Sequence, residues 1–91
     1  MYETGKKKGT IRFQWDALNG THTVSVAGDF NQWQPVSLRR QRGRFVAVLP
    51  VPGEGRYEYK FLVNGQWRLD PDNVSQTANP YGTLNSVAVL R

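Results

Sequence analysis

The stretch RYEYKFLVNGQW, residues 56–67, decides the fold. Over residues 56–63 side chains alternate strictly between two faces, which is the period of a β-strand with one buried side. One face carries the bulky set Tyr57, Tyr59, Phe61 and Val63, and the other carries Glu58, Lys60 and Leu62. The first face is therefore predicted to lie in the protein core.

The pair Asn64-Gly65 follows this strand directly. Both residue types tolerate the positive φ of a type I′ turn, so a two-residue hairpin is expected here. Such a turn pairs Leu62 with Trp67, and cross-strand partners share a face. Trp67 is therefore predicted to lie on the same side as Lys60, whereas a register slip of one residue would bury it.

Short β-rich runs on both sides predict further strands at residues 10–15, 22–27, 36–40, 44–49, 66–69 and 85–90. Asn19-Gly20 predicts a hairpin turn between the first two of these, and Gly43 predicts another turn. Residues 28–35, 50–55 and 70–80 are expected to be connections. Since no stretch keeps a helical period over three turns, the predicted fold class is all-β, an immunoglobulin-like antiparallel β-sandwich of about seven strands.

The chain of 91 residues is long enough for one domain. We assign the sandwich to residues 10–91 and expect residues 1–9, which include Lys6, Lys7 and Lys8, to form a flexible basic tail. The absence of cysteine excludes disulfides and thiolate metal sites. With no apolar run long enough to cross a bilayer, the expectation is a cytoplasmic protein without a membrane partner.

A formal charge of +5 raises the question of a polyanionic partner. The excess cations are concentrated in the lysine tail and at Arg39, Arg40, Arg42 and Arg44. Two interpretations stay open: a solvated tail with a charged hairpin tip, or a module that binds a polyanion. Nucleic acid is the less expected partner.

The sequence offers little material for catalysis, because it has one histidine, His22, and no nucleophile motif. Asp70 and Asp72 are expected to cap a turn rather than to bind a metal ion. Nothing in the spacing of Glu58 and Asp70 marks them as a glycosidase pair. The prediction is a binding domain that is not an enzyme and needs no cofactor or metal.

The three tryptophans are the candidate binding residues. Trp15 continues the inward alternation of Ile11 and Phe13 and is expected in the core. Trp33 follows a loop motif and precedes Pro35, where the chain runs over the surface. A flat aromatic ring with polar groups at its rim suits a sugar, which has C–H faces and hydroxyl edges. From spacing alone, Trp33 and Trp67 could equally be caps on the core.

An ordered series of motifs resembles carbohydrate-binding module family 48. The motifs are VAGDFNQW at 26–33, FVAVL at 45–49, YEYKFLVNGQW at 57–67, DP at 70–71 and GTLN at 82–85. That family includes the glycogen-binding domain of the AMP-activated protein kinase beta subunit. It also includes the early-set domains of isoamylases and branching enzymes. The resemblance implies a non-catalytic domain that binds α-1,4-linked glucans such as glycogen, starch or maltooligosaccharides.

The resemblance also implies particular site residues: Trp33 and Trp67 as stacking platforms, Lys60, Thr83 and Asn85 as hydrogen-bonding residues, and Tyr81 where the family has a protruding leucine. The phosphorylatable serine of the kinase branch is replaced by Gln41, which weakens a kinase-regulatory interpretation. An alternative within the same resemblance is a structural early-set domain that docks on a catalytic domain or a kinase subunit.

Overall fold

The computed structural model describes residues 1–91 and contains ten β-strands and a 3-10 helix at Asp29–Asn31. No helix in the chain is both long enough and apolar enough to span a membrane. The strands, in chain order, are β1 (Tyr2–Thr4), β2 (Thr10–Asp16), β3 (Val24–Gly28), β4 (Val36–Ser37), β5 (Arg39–Gln41), β6 (Arg44–Pro50), β7 (Gly55–Val63), β8 (Gln66–Arg68), β9 (Gln76–Ala78) and β10 (Leu84–Leu90).

The strands form two sheets in which every pairing is antiparallel. The first sheet has the order β1-β2-β6-β5, and the second has the order β4-β3-β7-β10-β9 with β8 paired to β7. The predicted all-β antiparallel sandwich is confirmed. The number of strands exceeds the prediction because the short strands β1 and β9 were not expected and because residues 36–40 form two strands, β4 and β5, instead of one.

The core between the sheets is built from aromatic rings. Phe13 on β2 lies 5.1 Å from Tyr59 on β7, measured between ring centroids, and contacts Phe61 edge to face. Trp15 packs on Phe61 with ring centroids 5.0 Å apart, so its predicted core role is confirmed. Tyr57 is also buried, and the alternation predicted for residues 56–63 therefore holds.

The prediction of a β-hairpin at Asn19-Gly20 is wrong. Strand β2 pairs with β1 and β6, whereas β3 pairs with β4 and β7, so residues 17–23 cross from one sheet to the other. Gly20 does have a positive φ of 85°, as a tight turn requires. An alternating strand can join either sheet, because alternation reveals which side chains point inward but not which neighbours the strand has.

The single strand predicted at residues 36–40 is also wrong. The segment divides into β4 in the second sheet and β5 in the first. Leu38 lies between them, is 6% exposed, and donates its backbone N–H to the carbonyl of Val24. Burial of this leucine at the crossing point keeps both short strands against the core.

The prediction of a flexible tail is wrong for residues 2–4. These residues form β1 and pair with β2 in a register that places Tyr2 opposite Phe13. The Tyr2 ring contacts Tyr59 edge to face at 6.0 Å, which explains why the segment is held on the sandwich. Lys6, Lys7 and Lys8 lie outside the strands and are exposed. Residues 70–80, predicted as a connection, contain β9.

Asp70 caps a turn, as predicted, by accepting a hydrogen bond from the backbone N–H of Asp72 at 2.9 Å. Its side chain is buried and accepts further bonds from the Tyr59 hydroxyl and the Met1 nitrogen, each at 2.6 Å. Burial raises the pKa of Tyr59 well above its ordinary value of 10.0, and the bond to Asp70 raises it further. Asn73 donates to the same hydroxyl at 3.0 Å. This buried cluster fixes the chain that follows β8.

Strand β5 lies at the edge of its sheet and carries exposed arginines. Arg39, Arg40 and Arg42 form no salt bridge, while Arg44 reaches Asp16 at 3.7 Å. Arg40 lies over the Phe45 ring at 5.8 Å. Charged side chains on an edge strand oppose pairing with other chains, and the exposed arginines of β5 are placed to have this effect.

Candidate functional site

All six predicted site residues line one groove on the outer face of the sheet that contains β7. The groove has a volume of about 930 Å³. Sequence reasoning named half of its lining: Trp33, Lys60, Trp67, Tyr81, Thr83 and Asn85. It missed the other half: Asp29, Glu58, Leu69, Asn79, Pro80 and Leu84.

Trp67 reaches the groove from the β7–β8 hairpin. Asn64 and Gly65 form the turn with φ values of 49° and 80°. The resulting register places Trp67 opposite Leu62, as predicted. With 51% of its surface exposed, Trp67 presents an accessible indole rather than a core cap.

Trp33 enters the groove from the loop after the 3-10 helix. Its φ is 59° and that of Gln32 is 54°, a conformation that bulky residues rarely adopt and that costs about 1–3 kcal/mol for each residue. Asn31 holds this loop by accepting from the Gly28 N–H at 3.0 Å and donating to the Gln34 carbonyl at 2.9 Å. The strained turn keeps the indole 36% exposed and directed into the groove.

The Trp33 loop is joined to β7 by a side-chain contact. Asp29 Oδ2 accepts the backbone N–H of Glu58 at 2.8 Å. The Phe30 ring turns inward and stacks on Phe13 with centroids 5.3 Å apart. Trp33 and the outward residues of β7 are therefore held in a common frame.

Lys60 and Thr83 are connected directly: Lys60 Nζ donates to Thr83 Oγ1 at 3.1 Å. Lys60 lies on β7, and Thr83 precedes β10, the neighbouring strand. Asn85 is only 5% exposed, and its Nδ2 donates to Glu58 Oε1 at 2.9 Å. Its side chain is thus mostly committed to protein contacts, unlike those of Lys60 and Thr83.

Tyr81 stands at the tip of a tight loop over residues 79–83 and is 90% exposed. Asn79 organises this loop, because its Oδ1 accepts the backbone N–H groups of Tyr81 at 3.0 Å and Thr83 at 3.2 Å. Gly82 has the positive φ of 80° that the turn requires. An Asn followed by Pro80 and a glycine is the turn signal that could have identified Asn79 from the sequence.

The charged groups of the groove are the carboxylates of Asp29 and Glu58 and the ammonium of Lys60. This mixed set gives no strong field of one sign. No three His, Cys, Asp or Glu side chains in the chain are close enough together to hold a metal ion. The arrangement provides two aromatic surfaces with hydrogen-bonding groups near them, which is suited to a neutral ligand that has both apolar faces and polar edges.

Comparison with known sequences gives a consistent result. A family described as the glycogen recognition site of AMP-activated protein kinase matches residues 10–91. The chain is similar to the 5'-AMP-activated protein kinase subunit beta-1 of Sus scrofa, at 41% identity over 87% of this chain and 62% of that protein. Its similarity to the human beta-1 subunit is 40% over 87% of this chain and 28% of that protein. The mouse beta-2 subunit is 39% identical over 75% of this chain and 25% of its own length.

Among solved structures, the fold is similar to part of a maltogenic amylase from S. marinus, with a TM-score of 0.80 and 21% sequence identity. The match covers all of this chain and 16% of the amylase chain. In every one of these proteins the chain corresponds to less than two thirds of the whole length.

Proposed function

The chain belongs to the family of glycogen recognition sites of AMP-activated protein kinase, and from this we propose that its groove binds α-1,4-linked glucans such as glycogen, starch or maltooligosaccharides. The domain is a carbohydrate-binding module by its family. Our proposal adds that binding is its whole activity and that the ligand lies against Trp33 and Trp67. The observation that carries it is that both accessible indoles line one groove together with Lys60 and Thr83.

Stacking on the two indoles supplies the apolar part of binding. Covering ~100 Å² of one indole contributes up to ~2.5 kcal/mol before chain ordering and polar desolvation oppose it. Because the β7–β8 turn and the Trp33 loop fix the backbone at both tryptophans, little backbone ordering is needed when the sugar binds. A single site of this kind binds weakly.

Polar groups near the rings fix the orientation of the sugar chain. Lys60 and Thr83 offer hydrogen bonds from the floor of the groove, and the exposed Tyr81 can stack or donate from its hydroxyl. Asn85 is largely buried and supports the others. None of these contacts requires a charged ligand, so the proposed affinity is nearly independent of salt concentration.

The proposal is tested by affinity electrophoresis in gels that contain glycogen, with Trp33→Ala and Trp67→Ala beside the unsubstituted chain. Both substitutions are expected to remove the retardation. Val74→Ala is a matched control, because Val74 is 97% exposed and lies outside the groove. Unchanged retardation of Trp67→Ala would contradict the proposal.

Docking on a larger protein is a second candidate function. The kinase subunits and the amylase that resemble this chain all contain much additional sequence. In this case the domain would pack on a kinase subunit or a catalytic domain, and both tryptophans would be covered there. Quenching of tryptophan fluorescence by a soluble quencher, measured in a longer protein that contains the domain, separates the two cases. Glucan binding requires accessible indoles, whereas docking covers them.

A further inference from the structure

A chain of hydrogen-bonded side chains runs along the floor of the groove from a carboxylate to an ammonium group. In order, its members are Glu58, Asn85, Asn79, Thr83 and Lys60. Every link is between 2.6 and 3.1 Å long. Glu58 and Asn79 were not among the residues predicted from the sequence, yet they connect three that were.

The orientation of the Asn79 amide is determined by the protein backbone. Its Oδ1 faces the N–H groups of Tyr81 and Thr83, which can only donate. Its Nδ2 must then face the other way, where it donates to Thr83 Oγ1 at 2.6 Å and to Asn85 Oδ1 at 3.0 Å. All hydrogen-bonding positions of this side chain are thereby occupied.

Glu58, at the opposite end of this series of hydrogen-bonded side chains, requires the same donor-to-acceptor direction. An ionised carboxylate only accepts, so Glu58 Oε1 requires the Nδ2 of Asn85, which donates to it at 2.9 Å. The Oδ1 of Asn85 is then turned towards Asn79. The backbone of the loop and the carboxylate of Glu58 therefore independently require the same orientation of the Asn79 and Asn85 amide groups, with each Nδ2 donating and each Oδ1 accepting.

The orientation of these amide groups determines which hydrogen bonds Thr83 can offer to a ligand. Its Oγ1 accepts from Asn79 Nδ2 and from Lys60 Nζ, and these two bonds use both lone pairs. The hydroxyl proton is left free, and two N–H groups of Lys60 are free as well. At the end formed by Thr83 and Lys60, the series of hydrogen bonds thus presents only donors to a ligand.

We propose that Asn79, oriented by the loop backbone and supported by Glu58 through Asn85, is a positioning residue that holds Thr83 and Lys60 as hydrogen-bond donors towards an acceptor oxygen of the glucan. The inference rests on the proposed function and deepens it. At this point the groove selects a sugar oxygen with a free lone pair, whether ring, glycosidic or hydroxyl. A ligand that presents only a donor there leaves the Thr83 proton unpaired.

The test compares Glu58→Met, which removes the acceptor at similar length, with Glu58→Gln, which retains an acceptor oxygen. Affinity for maltoheptaose is measured by calorimetry, and folding is checked by thermal melting. Glu58→Met is expected to bind about fivefold more weakly and Glu58→Gln within about twofold of the unsubstituted chain. Asn79→Asp is a second variant that keeps Oδ1 but loses both donors, and because Asn79 bonds Thr83 directly it is expected to bind at least as weakly as Glu58→Met. Full affinity in either folded variant would overturn the inference.

A measurement without sugar separates this inference from the proposed function. In a ¹⁵N–¹H spectrum of the free protein, the side-chain amide signals of Asn85 are expected to shift much more in Glu58→Met, which loses the acceptor, than in Glu58→Gln, which keeps an acceptor oxygen. Unchanged Asn85 signals in folded Glu58→Met would overturn the network, even if maltoheptaose binds. Failure of the unsubstituted chain to bind maltoheptaose would instead overturn the proposed function, and the role of Glu58 towards the sugar with it.

Discussion

Trp67 lies directly opposite Leu62 across the β7–β8 hairpin, so its indole shares the outer face of the sheet with Lys60. The two-residue turn at Asn64-Gly65 sets this register. The Asn64 side chain reinforces the turn by accepting the backbone N–H groups of His22 and Thr23 and donating to the Gly20 carbonyl. The position of one binding ring therefore depends on a turn and on the three hydrogen bonds that the Asn64 side chain makes to a neighbouring segment.

Exchange of two adjacent residues tests the importance of this face. In the double variant Gln66→Trp/Trp67→Gln, the indole moves to the position opposite Val63 and turns away from the groove. Composition is unchanged, but maltoheptaose affinity is expected to fall more than about tenfold, since one stacking surface is lost. Calorimetry measures the loss. Retained affinity would show that the indole contributes to binding from either face of the β7–β8 hairpin.

The sequence predicted the β7–β8 hairpin well because its information is local. Alternation over residues 56–63 and the Asn64-Gly65 pair are sufficient to place Trp67 relative to Lys60. The partners of each strand were not predictable in the same way: β2 and β3 are consecutive yet belong to different sheets. Inward-facing residues such as Phe13 and Val26 satisfy either arrangement, and only packing of the whole core selects one.

Only half of the residues that line the groove were predicted, again because the sequence carries local information. Aromatic and basic residues stand out in a sequence, and the resemblance assigned roles to them. Asn79 and Glu58 act through hydrogen bonds to residues 4 to 27 positions away. Their importance depends on the pairing of β7 with β10, which the sequence did not reveal.

Gly28 is predicted to be irreplaceable for steric reasons. An added Cβ would lie 2.5 Å from the Glu58 carbonyl oxygen and 2.7 Å from the Phe30 ring. Gly28→Ala is therefore expected to lower the free energy of unfolding by about 1–3 kcal/mol. Because the Gly28 carbonyl accepts from the Trp33 N–H, glucan affinity should fall as well.

The control for this substitution is Gly43→Ala, at a glycine outside the groove with a φ of 77° and no atom near an added Cβ. It is expected to cost about 1 kcal/mol through backbone strain alone and to leave affinity unchanged. Denaturant unfolding and calorimetry measure the two quantities. Equal effects of both variants on affinity would contradict the steric explanation.

Asn31 is predicted to support binding without contacting the sugar. Asn31→Ala removes the bonds to the Gly28 N–H and the Gln34 carbonyl, which hold Trp33 in its strained turn. Relaxation of that turn should lower maltoheptaose affinity several-fold, with a loss of about 1 kcal/mol in the free energy of unfolding. Asn31→Asp, which keeps the acceptor, should retain most of the affinity. An alanine variant with full affinity would show that the turn does not need this side chain.

The exposed arginines Arg39, Arg40 and Arg42 are predicted to reduce association between chains rather than to contribute to glucan binding. The triple variant Arg39→Gln/Arg40→Gln/Arg42→Gln removes three charges from β5 and the turn after it. Its glycogen retardation should equal that of the unsubstituted chain at low and high salt, while sedimentation velocity should show more self-association. A steep loss of binding with added salt in the unsubstituted chain would favour a polyanion-binding module instead.

Tyr59 is predicted to make the fold sensitive to alkaline conditions. Its pKa is raised above the ordinary value of 10.0 by burial and by the bond to Asp70, so the folded state keeps the hydroxyl proton where the unfolded state loses it. Well below pH 10 both states are protonated and the group imposes no penalty. Above that pH the unfolded chain gains free energy by ionising, and the free energy of unfolding falls by up to about 1.4 kcal/mol per pH unit.

Tyr59→Phe isolates this contribution. The variant should be less stable at neutral pH by about 1–2 kcal/mol, because Asp70 and Asn73 each lose a buried partner. Between about pH 9.5 and 11.5 its stability should fall less steeply than that of the unsubstituted chain, since one ionising group has been removed. Urea unfolding across this range compares the two slopes, and the lysines and remaining tyrosines contribute equally to both. Parallel slopes would mean that Tyr59 ionises in the folded chain as readily as in the unfolded one, which its burial and its bond to Asp70 oppose.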